Sequence, residues 1–215
     1  MAITYPRALP ADIRWLKSTL SLPRGNALNR LSSGALQAAE VDEPLWRASF
    51  VSEPLVWSER RLWEAWERTL RGGIGTFLAY DWVGSYPLQY GAAVLDLTRA
   101  GGGSYNGTAT FVSCTATTLT LSGLPNGYQA KTGDRLSFAW NNGRAYHEVA
   151  EDAVASSGGA LTVTVEPYVR APYVDAGTDV ALVRAPLVLQ MDPDTWSSPD
   201  DLGAQRISFT AVQVI

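Results

Sequence analysis

The chain has 215 residues, a formal net charge of −4, and only 18% charged residues against 46% hydrophobic ones. This length favours one large or two small domains, and without any Lys/Arg run the sequence argues against the phosphate contacts of sequence-specific nucleic-acid binding. The charged fraction is below the roughly 25% of typical soluble domains, which fits either a β-rich protein or a surface partly buried against other subunits.

Cysteine content and targeting signals indicate the cellular compartment in which the protein is made. Cys114 is the single cysteine, so it has no intrachain disulfide partner, and its neighbours predict a buried position in a strand. The N-terminal residues lack the charged and apolar regions of a secretory signal. No apolar run approaches the ~20 residues of a membrane span. We expect a protein that is made in the cytoplasm and does not enter a membrane.

The first 35 residues are rich in Pro, Arg and Leu. Residues 12–20 are compatible with a short helix or an extended arm, and residues 23–34 have turn composition. Such a segment either packs on a neighbouring subunit or wraps on its own chain.

Two strands are predicted next, over residues 35–41 and 45–52. In the second, Trp46, Ala48 and Phe50 fall on one face and Leu45, Arg47, Ser49 and Val51 on the other, so an aromatic face points at a core. A further strand covers residues 76–82, with Phe77 on its inner face.

The clearest predicted helix covers residues 58–71. Leu62, Trp63, Trp66 and Leu70 form one apolar stripe at helical spacing. Ser58 is a suitable N-cap, Trp57 and Leu62 have the spacing of a hydrophobic staple, and Gly72-Gly73 favours the helix end. A ligand platform is an alternative for the stripe, but packing against a sheet is the favoured interpretation.

Residues 89–98 predict one more strand, and the Gly-rich run 100–107 indicates a boundary. Short strands then follow at close spacing: 108–114, 117–121, 135–140, 144–150, 161–167 and 179–184. Asn141-Asn142-Gly143 predicts a tight hairpin turn. Such a run of short strands indicates a small barrel or sandwich.

Residues 192–204 predict a loop, and residues 206–215 a final apolar strand. This strand is too apolar to remain free in solvent, so we expect it to return to the first sheet. The segment between would then be an insertion.

No catalytic, cofactor-binding or metal-binding residues are predicted. His147 is the single histidine and lies in a predicted strand without the convergent ligands that a metal or catalytic site needs. Asp192, Asp194, Asp200 and Asp201 lack EF-hand spacing, and Gly101–Gly103 lacks the Lys and helix of a phosphate-binding loop.

Several segments together resemble one protein family. In chain order they are Tyr5–Pro10, Glu43–Phe50, Leu70–Gly73, Thr76–Asp81, Gly133-Asp134, Val165–Pro167 and Val183–Pro186. Over most of the chain they resemble the distal tail proteins at the tail tip of long-tailed bacteriophages and related prophages.

The resemblance implies a mainly β fold with one flanking helix: a tail-tube-like β-sandwich with an inserted small barrel or sandwich, oligonucleotide-binding-like or galectin-like. It implies a discontinuous first domain over 1–103 and 189–215 and an inserted domain over 104–188. It implies a non-enzymatic virion protein in a hexameric ring between the tail tube protein and the hub protein, with tail fibre or receptor-binding proteins as further partners. The expected core residues are Trp46, Phe50, Leu62, Trp63, Trp66, Leu70 and Phe77.

Two alternatives stay open from the residues. One is another minor tail or hub protein. The other is a β-sandwich carbohydrate-binding module, since the chain has eight tryptophans whose faces could stack on sugars. An enzyme ranks third, because no nucleophile–base pair or pair of positioned carboxylates can be nominated.

Overall fold

The computed structural model describes residues 3–10, 13–141, 143–170, 175–198 and 205–215. The chain is mainly β-structure, as predicted: the described strands form a six-stranded sheet, a closed barrel and two two-stranded sheets. Helix α1 spans Trp57–Thr69, and 3₁₀ segments span Gly91–Asp96 and Pro193–Thr195. The strands, in chain order, are β1 (Arg7–Ala8), β2 (Trp15–Ser21), β3 (Asn26–Arg30), β4 (Leu36–Glu40), β5 (Arg47–Ser52), β6 (Thr76–Tyr80), β7 (Thr108–Cys114), β8 (Thr118–Ser122), β9 (Gln129–Ala130), β10 (Arg135–Trp140), β11 (Gly143–Val149), β12 (Ala153–Val154), β13 (Leu161–Glu166), β14 (Asp179–Ala181), β15 (Pro186–Met191) and β16 (Ser208–Gln213).

Two compact units divide the chain. The first comprises Met1–Thr76 and Leu189–Gln213, and the second Phe77–Val188 with Val214–Ile215. Residues 77–103 therefore group with the second unit, whereas the sequence assigned them to the first domain. That residues 1–103 with 189–215 form one domain and residues 104–188 an inserted second domain stays a prediction.

The six-stranded sheet has the order β1-β6-β15-β16-β5-β2. Strand β16 pairs antiparallel with β5, with Phe209 opposite Phe50. The Ile207 amide also donates to the Ser52 hydroxyl at 3.0 Å, across 155 positions of sequence. The final strand therefore returns to the first sheet, as predicted. Burial alternates along both strands, which gives the sheet one apolar face.

Helix α1 contributes its aromatic side chains to the core of the first unit. Trp63 lies 5.5 Å from Trp15 and 5.2 Å from Trp66 between ring centroids. Phe209 lies 5.1 Å from Phe50 and 6.1 Å from Trp66. Edge and tilted contacts of this kind are favourable arrangements for aromatic rings. The rings thus join the helix to β2, β5 and β16.

The start of α1 differs from the prediction. The N-cap is Val56, whose amide donates to the Glu59 carboxylate at 3.0 Å, so Ser58 is not the cap. The staple is also wrong, because Trp57 is 70% exposed and Leu62 is 55% exposed. Leu62 precedes Trp63 by one residue, about 100° around the helix, and lies at the margin of the buried stripe.

Helix α1 ends two residues earlier than predicted, at Thr69, with Leu70 as the C-cap and Arg71 as the first left-handed residue, at φ of 53°. Gly72 and Gly73 follow with φ of 64° and 89°, the left-handed conformation that glycine adopts without strain. A Cβ at Gly73 would lie 2.8 Å from the Met191 carbonyl. The Gly73 carbonyl in turn accepts from the Gln190 side chain at 2.6 Å, so this turn needs both glycine geometry and space.

The N-terminal region is extended rather than helical. Strand β2 pairs with β5, which makes the short-helix alternative for residues 12–20 wrong; Asp12 itself lies outside the described residues. Within residues 23–34, turn composition was a wrong guide for Asn26–Arg30, which form β3, whereas residues 31–34 form a turn, in which the Gly34 amide donates to the Leu31 carbonyl at 2.9 Å. Strand β3 pairs with β4 over five residue pairs, and β4 confirms the strand predicted over 35–41.

The closed barrel has the cyclic strand order β10-β11-β13-β8-β7-β14. Its interior is filled by buried apolar side chains, among them Phe111, Leu119, Phe138 and Val163. The predicted short strands of this region are confirmed with small shifts of their ends, but the strand predicted over 89–98 is wrong, because a 3₁₀ segment lies there. Cys114 is half-buried at the end of β7.

The β10–β11 hairpin is confirmed with a different turn position. Trp140 pairs with Gly143, so Gly143 already belongs to β11. Asn141 takes the positive φ of 51° that a tight hairpin turn requires, and Asn142 lies outside the described residues.

In the described ranges, every helix is too short or too polar to span a bilayer.

Candidate interaction surface

The predicted core residues occupy two different environments. Six of the seven are buried: Trp46, Phe50, Trp63, Trp66, Leu70 and Phe77. Leu62 is exposed, so its prediction as a core residue is wrong. None of the six side chains has a chemically reactive group. Their role is to pack the core against which α1 lies.

His147 is buried within the barrel wall. Its Nδ1 lies 2.8 Å from the Pro167 carbonyl, and its ring stacks on Phe138 at 5.6 Å. Because a carbonyl only accepts, Nδ1 carries the proton and donates. Burial lowers the pKa of His147 to about 4. The imidazole is therefore neutral at pH 7 and joins β11 to the segment after β13.

Ionic side chains near the barrel also serve structure. Arg135 pairs with Glu148, and its Nε lies 3.6 Å from the buried Asp81 carboxylate. The Asp134 carboxylate accepts from the amides of Leu88 and Lys131 at 2.7 and 2.9 Å. Burial raises the pKa of Asp134 despite these bonds. The carboxylates thus hold turns and strands in place.

The acidic loop forms a short turn where it is described. The Asp192 carboxylate accepts from the Asp194 amide at 3.2 Å, while Asp200 and Asp201 lie outside the described residues. Within the described ranges, no group of three or more His, Cys, Asp or Glu side chains is placed to hold a metal ion.

Aromatic rings on the second unit pair with arginines. The Arg170 guanidinium lies 5.7 Å from the Trp140 ring and 5.9 Å from the Tyr168 ring. Arg184 lies 5.8 Å from both Tyr80 and Tyr86. These distances are those of cation–π contacts, so a guanidinium occupies part of the ring faces.

The β3–β4 hairpin is the most exposed ordered element of the first unit. Every residue from Asn26 to Glu40 is exposed, including Leu28 at 64% and Leu36 at 62%. We call residues 26–40 the hairpin arm. Because large apolar side chains on both of its strands face solvent, the arm is a candidate for contact with another molecule.

A second apolar surface lies between α1 and the N-terminal segment. This groove has a volume of about 450 Å³, and its apolar lining consists of Ala8, Leu9, Pro10, Leu62, Ala65 and Trp66. The Trp66 indole donates to the Ala8 carbonyl at 2.9 Å, and Tyr5 and Arg7 both bond to Thr69. We call this surface the helix groove.

Sequence reasoning missed the helix groove and the form of the arm. The groove depends on contacts about 60 positions apart, which no local pattern reveals. Leu62, which lines the groove, had been assigned to the buried stripe of α1.

No protein-family model matches this sequence, and the comparison with curated proteins gives no match.

Proposed function

We propose that this chain is a structural protein of a bacteriophage tail tip, of the distal tail kind. It would assemble into a ring that joins the tail tube to the hub or baseplate and supports adhesion components. In this proposal the six-stranded sheet with α1 is the tail-tube-like domain. The closed barrel is the inserted domain, of the oligonucleotide-binding-like or galectin-like kind.

The observation that carries the proposal is the layout of the sheet around the barrel. Strands β1, β2, β5 and β6 precede the barrel in sequence, whereas β15 and β16 follow it, and β16 pairs with β5. This layout supports a tube-like domain interrupted by an inserted β domain, the arrangement that the sequence resemblance implies.

Exposed apolar surface supports an assembled state. The hairpin arm and the helix groove both present leucines to solvent, and only 18% of the chain is charged. A monomer that is stable in solution rarely exposes apolar groups in this pattern, whereas a subunit of a ring buries them. In the proposal the chain has no enzymatic activity and no cofactor, and it resides in the virion.

The experiment is the mass of the purified chain in solution over a range of concentrations, followed by negative-stain images of the main species. Six-membered rings, or growth toward them with concentration, support the proposal. A fixed small oligomer that binds hub components but forms no ring favours another minor tail or hub protein.

One observation favours a carbohydrate-binding module as a second candidate. Trp140 and Tyr168 flank Arg170 on the second unit, and Tyr168 is 36% exposed. Aromatic rings beside a donor-rich side chain suit sugar recognition. A monomer that is retained on polysaccharide, with retention lost in Tyr168→Ala, would favour this candidate over the ring protein.

A further inference from the structure

The hairpin arm is a two-stranded sheet of its own, joined to β2 by residues 22–25 and to β5 by residues 41–46. At its base the Val41 amide donates to the Gly25 carbonyl at 2.8 Å. Strands β2 and β5 themselves belong to the six-stranded sheet. From Gly25 to Leu31 the arm extends six residues, or about 20 Å at the rise of an antiparallel strand.

The arm has regular pairing without a core of its own. Leu28 lies opposite Ala38 and Arg30 opposite Leu36, so alternation places Leu28, Leu36 and Ala38 on one face of the arm, together with Arg30. An isolated two-stranded hairpin is marginally stable in water. A surface that covers this face would therefore stabilise the arm as well as bury its leucines.

The two charged residues of the arm lie at the two ends of this same face. Glu40 lies at the base, 3.6 Å from Arg24, and Arg30 lies near the tip, opposite Leu36. No other charged residue occurs in residues 26–40. The centre of the face, where Leu28 lies opposite Ala38, is apolar, so its complement there is an apolar surface.

The same chain offers such a surface at the opposite edge of the sheet. Strand β1, which contributes to the helix groove, is one edge strand, and β2, which leads into the arm, is the other. Five strand spacings separate the edges, about 24 Å at the usual 4.8 Å. None of the residues that line the groove belongs to the arm.

We propose that the arm of one copy of this chain binds the helix groove of a second copy, with Leu28 and Leu36 packed against Leu9, Pro10 and Leu62. Because arm and groove lie at opposite edges, the contact is head-to-tail and each copy keeps a free arm and a free groove. Such a contact repeats until it closes into a ring or grows as a filament. This deepens the proposed function, and it rests on that function only for the closure into a ring.

The test is cysteine cross-linking in the full chain with Cys114→Ala as background. Leu28→Cys and Leu62→Cys are made singly and together, and disulfides are detected on non-reducing gels. Both positions are more than half exposed, so neither substitution removes core packing. Val154→Cys, at a 67% exposed site on the second unit, replaces Leu62→Cys as the matched control.

The proposal predicts three gel patterns. The two single variants mixed together give one heterodimer band, at least about tenfold stronger than Leu28→Cys mixed with Val154→Cys. The double variant gives a ladder of multimers. Disulfides in Leu28→Cys alone at the same yield would show arm-to-arm contact and overturn the proposal, as would no cross-link in any mixture.

A non-covalent measurement accompanies the gels. Leu28→Asp should weaken self-association at least about tenfold by sedimentation, equivalent to about 1.4 kcal/mol, with an unchanged circular dichroism spectrum. Val154→Asp should leave association unchanged. Equal association of both variants and the parent would overturn the proposal.

The outcomes separate this inference from the proposed function. Six-membered rings without arm–groove cross-links would refute the inference alone. Arm–groove ladders that grow as open filaments, with no ring and no affinity for tail components, would refute the proposed function and keep the inference.

Discussion

Replacing Trp66 by Ala should strongly destabilise the first unit. The ring is 4% exposed and lies 5.2 Å from Trp63 and 6.1 Å from Phe209. Truncation of a large buried aromatic side chain costs about 3–5 kcal/mol. The lost indole bond to the Ala8 carbonyl adds little, since Ala8 is exposed and water can replace the donor. We expect a loss of about 4 kcal/mol.

Two further variants divide this loss into its parts. Trp66→Phe keeps one aromatic ring and loses part of the buried indole area, so it should cost about 1–2 kcal/mol. Trp57→Ala is the matched control on the same helix, because Trp57 is 70% exposed. It should change stability by no more than about 0.5 kcal/mol.

The assay is urea unfolding followed by far-ultraviolet circular dichroism. Two compact units allow two transitions, so each is fitted separately. With a slope of about 2 kcal/mol/M, the Trp66→Ala midpoint of the first unit should fall by about 2 M, while the second unit's midpoint stays. Equal midpoints for Trp66→Ala and Trp57→Ala would refute the assignment of the α1 stripe to the core.

Three other predictions concern the second unit. The pKa of His147 is about 4 in the folded protein and about 6.5 in the unfolded chain, so between these pH values only the unfolded state gains a proton. The free energy of unfolding should therefore fall by up to about 3 kcal/mol as the pH drops from 6.5 to 4. Parallel curves of stability against pH for the parent and His147→Phe would contradict this. Arg135→Ala leaves the Asp81 carboxylate buried without its cation and should cost about 3 kcal/mol in thermal or urea unfolding, whereas Lys131→Ala, at an exposed pair, should leave the midpoint unchanged. Asn141 has φ of 51°, so Asn141→Val should cost about 1–2 kcal/mol and Asn141→Gly should be tolerated; an equal melting temperature for both would remove the argument from backbone strain.

Local periodicity predicted the elements whose burial follows their own pattern. Trp63, Trp66 and Leu70 recur at helical spacing because one face of α1 is buried, and Ala48 and Phe50 lie at every second position of β5 for the same reason. The helix start could not be read in this way. Leu55 is buried and its amide bonds to the Gln205 carbonyl at 2.8 Å, a distant contact that sets where the helix begins.

The arm and the 3₁₀ segment are elements that local periodicity did not predict. Both strands of the arm face solvent on both sides, so no alternation of apolar and polar residues marks them, and Asn26 and Asn29 gave β3 the composition of a turn. Residues 89–98 were predicted as a strand. Only Val94 is buried in the 3₁₀ segment, and Gly91 has φ of 57° near its start.

The candidate surface was less predictable than the fold. The helix groove needs residues 8–10 beside α1, and the opposition of arm and groove needs the strand order of the whole sheet. Neither is a property of a local window.

The pairing of β16 with β5 determines which part of the chain can complete its fold first during synthesis. A ribosome makes the barrel strands, up to Ala181, before it makes β15 and β16, so the barrel has all its partners while the sheet still lacks two of its inner strands. During that interval β5 presents an open edge and the ring of Phe50 has no Phe209 beside it. Pairings so distant in sequence form slowly, and exposed strand edges promote aggregation. The nascent chain is therefore most vulnerable between completion of the barrel and release of its last strand.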